Sequence, residues 1–135
     1  MIHAWVGAAL AAMAMLEAAR LAAQDSVPAA KQAAGETSTA TSAEYDGWKV
    51  FHSYCDRCHG QDATGSSFAP NLRQSVGANG MTESTFSGVV QNGRTDKGMP
   101  AFKGTISEAQ SSQLYAYVKA RSSGTLGPGR PKRSP

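Results

Sequence analysis

The chain is short of most things that let a small protein build its own core. Only two cysteines occur in 135 residues. With two residues between them, a bridge joining them would close too small a loop to restrict the unfolded chain much. Large apolar side chains are sparse between Glu44 and Ser122, a stretch of roughly 80 residues, a size at which an apolar core is marginal without some staple. Long apolar runs are missing too: Ala4 to Leu16 falls short of the ~20 residues a membrane-spanning helix needs. Nor is there an excess of one charge. The net charge is +3, and between Glu44 and Ser122 eight basic side chains stand against seven acidic ones, leaving +1. Strong electrostatic steering is therefore not evident in the body. The basic run Arg130, Lys132 and Arg133 lies in a Pro-rich end, where a solvated terminus explains it better than nucleic-acid binding.

What is present is concentrated in Cys55-Asp56-Arg57-Cys58-His59, which holds both cysteines and one of three histidines. This is the spacing of covalent c-type haem attachment. Each thiol adds to one vinyl group, the two intervening residues match the vinyl separation, and the next histidine can turn its ring onto the iron. Competing readings each lack a partner. A thioredoxin-like dithiol wants a strand before the motif and a βαβ pattern around it. A structural zinc site wants two ligand pairs, but beyond the motif only His3 and His52 remain.

Behind that motif, from about Tyr45 to Arg121, the chain resembles the class I cytochromes c. Gly60 follows the histidine. Ala69-Pro70-Asn71-Leu72 is similar to the family's loop on the histidine side. Asn92-Gly93-Arg94 and Gly98-Met99-Pro100-Ala101-Phe102 are similar to the segment that delivers the sixth iron ligand. The resemblance implies an all-α fold of three to five helices around one covalent haem c. It implies thioethers from Cys55 and Cys58, with His59 and Met99 as axial ligands. It implies, too, that the Pro70 backbone oxygen accepts the ring N–H of His59 and orients the imidazole. Arg94 is either a partner for a haem propionate or a solvent-facing arginine.

Periodicity places the helices. Gly47, Trp48, Phe51 and Cys55 recur at near-helical spacing, predicting a helix over 44–55 that buries Trp48 and Phe51. The resembled family crosses this helix with its last one at a small residue beside an aromatic, which nominates Gly47 and Phe51. A second helix is expected over 83–92, with Thr82 as N-cap and Gly93 as its stop. The last starts at a capping box, Ser107 to Gln110, and Leu114, Tyr117, Val118 and Arg121 trace its inner face. Met81 is the rival of Met99 as a ligand, but it stands just before the Thr82 cap with Phe86 placed to pack back on it, a hydrophobic staple. His52, in the first helix, reads as a surface or half-buried histidine.

Composition divides the chain into a signal peptide over 1–23, a flexible leader over 24–43, the haem domain over 44–122 and a disordered basic tail over 123–135. The apolar run over 4–16 is the only export signal available. Two features depart from the usual pattern: no Lys or Arg precedes it, and Glu17 and Arg20 follow it. Export means a periplasmic protein without a transmembrane helix in its mature chain. Two axial ligands leave iron no open position for substrate, so the expected role is electron transfer and not enzymic turnover.

A narrower resemblance concerns the partner. Asp46-Gly47-Trp48, the run from Asp62 to Pro70, and Gly127 to Pro131 are similar to small periplasmic cytochromes that accept electrons from pyrroloquinoline-quinone (PQQ) alcohol dehydrogenases. A terminal oxidase or another cytochrome would then be the acceptor. The alternatives are a carrier for a different dehydrogenase or reductase, a small peroxidase whose methionine is displaced, and a haem sensor of gas or redox state.

Overall fold

The computed structural model describes residues 39–135. The expected signal peptide over 1–23 and the leader up to residue 38 lie outside the described residues. Among the described residues five α-helices carry the fold: α1 (Ser42–Tyr54), α2 (Asp56–His59), α3 (Leu72–Val76), α4 (Glu83–Asn92) and α5 (Glu108–Ser123). Short 3-10 turns stand at Gln61–Ala63 and Thr95–Lys97.

Local chemistry sets the helix ends. Thr41 and Glu44 form a capping box, the Thr41 hydroxyl accepting the Glu44 N–H at 3.3 Å and the Glu44 carboxylate accepting the Thr41 N–H at 2.8 Å. This reciprocal cap satisfies two orphan donors, and it starts α1 two residues before the expected Glu44. Thr82 caps α4 and the chain leaves that helix at Gly93. Ser107 and Gln110 form the expected second box at the start of α5.

The core lies where α1 crosses α5, with α3 and α4 packed on the same helix. At Gly47 a Cβ would run into the Gln113 carbonyl and the Tyr117 side chain, so only glycine lets the two backbones approach. One turn later Phe51 and Tyr117, both fully buried, bring their ring centroids to 5.3 Å. Leu114, Val118, Ile106, Phe86 and Val90 complete the apolar centre. A buried polar link ties α4 to α5: the Gln91 side-chain amide donates to the Ile106 carbonyl and the Ser111 hydroxyl, each at 2.9 Å. Met81 packs partly buried against this core.

The segment expected as a disordered tail is ordered. After α5 the chain turns at Gly124, buries Leu126 and Pro131, and ends in strand β2 (Lys132–Arg133), which pairs in parallel with β1 (Thr39–Ala40). Arg130 stacks over the Trp48 ring at 5.3 Å, and Arg133 reaches Asp46 at 3.6 Å. Composition misled because a Gly-, Pro- and Ser-rich segment has no period of its own; this one is held by groups on other elements. The end of the expected leader, from Thr39, is drawn into the same pairing. Among the described residues no helix is long and apolar enough to cross a membrane.

Candidate functional site

The five motif residues sit on a single bend of helix. The Cys55 N–H still bonds to the Phe51 carbonyl at 2.8 Å, and its own carbonyl accepts the N–H groups of Cys58 (3.2 Å) and His59 (2.9 Å). Helical spacing thus sets the two thiols one turn apart. Neither cysteine is joined in a disulfide. Burial, with Asp56 and Cys58 adding to it, pushes the Cys55 thiol up to about 12, the opposite of the depressed value a nucleophilic dithiol needs.

His59 is buried, and its Nδ1 stands 3.0 Å from the Pro70 carbonyl. A carbonyl only accepts, so Nδ1 carries the proton and the lone pair of Nε2 is left for another partner. The loop between them is drawn tight. The Gly65 N–H bonds to the His59 carbonyl at 2.7 Å. Gly65 has φ +85° and lies so close to Pro70 and Asn71 that a Cβ would strike their backbone, which makes glycine obligatory there. Asn71 then caps α3, accepting the Gln74 N–H at 3.0 Å.

Met99 is half-buried on a second loop, which is fastened to α4. Arg94 and Met99 exchange both backbone hydrogen bonds, at 2.9 and 3.0 Å. The chain beyond is tied down by the Phe102 N–H on the Val90 carbonyl at 3.1 Å. The Arg94 side chain is exposed and makes no hydrogen bond or ion pair among the described residues. The end of α1 and the Met99 loop meet through a pair of aromatics. Tyr54, next to Cys55, and Phe102, three residues after Met99, place their ring centroids 6.0 Å apart, edge to face.

This donor set fits a covalent haem: two unspent thiols one turn apart, an imidazole whose proton is already committed, and a thioether on a pinned loop. The sequence places Arg121 on the inner face of α5 but gives it no partner. Arg121 is buried and pairs with Asp62 at 3.0 Å. An arginine on the apolar face of α5 was the available signal, since a buried guanidinium requires a partner.

Comparisons with known proteins agree with this chemistry. The family model described as "Cytochrome C oxidase, cbb3-type, subunit III" matches residues 42–118. Cytochrome c-555 of Methylococcus capsulatus is 36% identical over 89 residues, spanning 64% of this chain and 69% of the relative. Cytochrome c-553I of Paracoccus denitrificans is 34% identical over 99 residues, 67% of this chain and 42% of the relative. The quinohemoprotein alcohol dehydrogenase ADH-IIG of Pseudomonas putida is 31% identical over 75 residues, 56% of this chain but 10% of that much longer protein. Among solved structures, the c-type cytochrome XoxG from Methylobacterium extorquens AM1 superposes with a TM-score of 0.61 at 30% identity, over 69% of this chain and 59% of that one.

Proposed function

The chain belongs to the c-type cytochrome family described as cytochrome c oxidase, cbb3-type, subunit III, and on that premise we propose a periplasmic mono-haem electron carrier. Its donor would be a PQQ-dependent alcohol dehydrogenase, and its acceptor a terminal oxidase or another cytochrome. Bound haem c supplies a one-electron ferric–ferrous couple. Cys55 and Cys58 would hold it covalently, His59 Nε2 and the Met99 sulfur would ligate its iron, and Arg94 would be free to pair with a propionate.

The observation that carries the carrier reading is the 3.0 Å approach of His59 Nδ1 to the Pro70 carbonyl. An imidazole fixed in tautomer and orientation reorganises little between oxidation states, as an electron carrier requires. With His59 and Met99 both committed to the iron, substrate would have no place at the metal, which supports a carrier over an enzyme. The dehydrogenase reading draws on the ADH-IIG match, in which a segment similar to this chain lies within an alcohol dehydrogenase. In this proposal the haem domain would receive its electrons by docking with the dehydrogenase. Export through residues 1–23 belongs to the same proposal, and the intact mass of the secreted holoprotein reports the cleavage.

Rapid mixing of the oxidised cytochrome with a quinoprotein alcohol dehydrogenase and alcohol tests the assignment. Fast, saturable reduction is expected. A cytochrome that dithionite reduces and the dehydrogenase does not would keep the carrier and remove this donor.

A further inference from the structure

Between His59 and Pro70 the backbone takes an unusual course. Asp62 and Ala63 both adopt left-handed conformations, with φ of 59° and 61°, which side chains other than glycine, Asn and Asp seldom enter. Two such residues in succession persist only where surrounding contacts over-determine them. The contacts come from the far end of the chain. Arg121 of α5, its side chain 2% exposed, pairs with the Asp62 carboxylate at 3.0 Å. The same carboxylate accepts the Gly129 N–H at 3.0 and 3.1 Å, while Arg121 donates back to the Gly129 carbonyl. Arg121 also donates to the Tyr117 hydroxyl at 3.3 Å and the Leu126 carbonyl at 3.5 Å.

The geometry points to Asp62 and Arg121 as positioning residues for His59: their buried ion pair, closed by Gly129, holds the strained turn that returns the chain so that the Pro70 carbonyl meets Nδ1. This rests on the iron ligation assigned above to His59. The chain of contact is short. Ala63 is fully buried, its N–H bonds to the Gly60 carbonyl at 3.2 Å, and two residues on Gly65 bonds back to His59. If the turn relaxes, Gly65 and Pro70 move with it. A longer Nδ1–H to carbonyl bond makes the imidazole a weaker base, which disfavours ferric iron and raises the potential.

Spectroelectrochemical titration of the holoprotein tests this in Asp62→Asn and Arg121→Lys. Asn tolerates the left-handed region, so the first variant removes the charge and leaves the turn's shape available. Lysine keeps the charge but lacks the planar fork that reaches several acceptors at once. Each is expected to raise the potential by a roughly threefold to tenfold change in the ferric–ferrous equilibrium, tenfold being about 59 mV for one electron. The His59 Nδ1 proton should also exchange faster with solvent, by roughly tenfold. Ser107→Ala, which removes the N-cap of α5 far along the chain from this turn, is the control: it lowers the melting temperature and leaves the potential where it was. Variants that melt earlier with unchanged potential and proton exchange would overturn the inference, leaving the pair a structural staple. A wild-type holoprotein without a reversible one-electron couple would overturn the His59 ligation and this inference together. If Asp62→Asn assembles no holoprotein, the Arg121→Lys titration alone decides between these results.

Discussion

At the scale of single residues, His59 and Met99 are prepared in different ways. His59 is aligned through its side chain, by the Pro70 carbonyl at 3.0 Å. Met99 is aligned through its backbone, by the two-bond pairing with Arg94, which leaves its flexible thioether to find its own angle. Loss of the sulfur should therefore disturb the chemistry more than the fold. Met99→Ala is expected to lower the potential by a sizeable part of the about 0.8 V that axial ligands span, and to admit carbon monoxide to the reduced protein. Unchanged potential and no carbon monoxide binding would place the ligand elsewhere. The helical dichroism should stay near wild type, since the pairing that shapes the loop is made by main-chain groups.

At the scale of elements, the α1–α5 crossing is the joint that brings the cysteine motif to the core. It depends on Gly47, where a side chain would meet the Gln113 carbonyl. Gly47→Val should force the helices apart and destabilise the holoprotein by about 1–3 kcal/mol, the usual cost of overpacking. Denaturant titration measures it, and a variant as stable as wild type would mean that the crossing can slide. The family resemblance nominated Gly47 and Phe51 for this joint, and periodicity supplied the two faces, with Gly47 and Phe51 on one helix and Leu114, Tyr117 and Val118 on the other. The helix starts were legible for a local reason as well: Thr82 and the Ser107–Gln110 box satisfy backbone donors within three residues of themselves. Thr41 makes the same kind of cap, but it stands in a Ser- and Thr-rich stretch where several residues could have served.

At the scale of the whole molecule, the C-terminal segment changes both stability and charge. Docked on the body, it brings Arg130 and Arg133 to the face of α1 that carries Tyr45, Asp46 and Trp48, with Lys132 between them in β2. The described residues then carry eleven basic and seven acidic side chains, +4, where the body counted without its tail stood at +1. Deleting residues 124–135 should cost about 2–4 kcal/mol, since it exposes the Leu126 site and opens the Asp62–Arg121 pair to water. Thermal melting of the truncated holoprotein checks this; an unchanged midpoint would mean that the segment contributes nothing to the fold. Even with the segment in place, the apolar core is small for its chain length. The haem-free protein should accordingly lose most of its helical circular dichroism, and native-like helicity without haem would show that the protein core suffices.

Residue order alone determined the cofactor chemistry and the main helices. Thioether attachment is written in the spacing of Cys55, Cys58 and His59, and the helices in apolar periods and caps a few residues long, so both are local. Tertiary structure decided whatever depends on groups far apart in the chain. It closed the tail onto α1, gave Arg121 the partner Asp62, and pinned a left-handed turn beside the haem motif. None of these leaves a local pattern. A buried ion pair is seen from the sequence only as two unrelated charges, and a Gly- and Pro-rich segment reads as disorder until the side chains that hold it are in place.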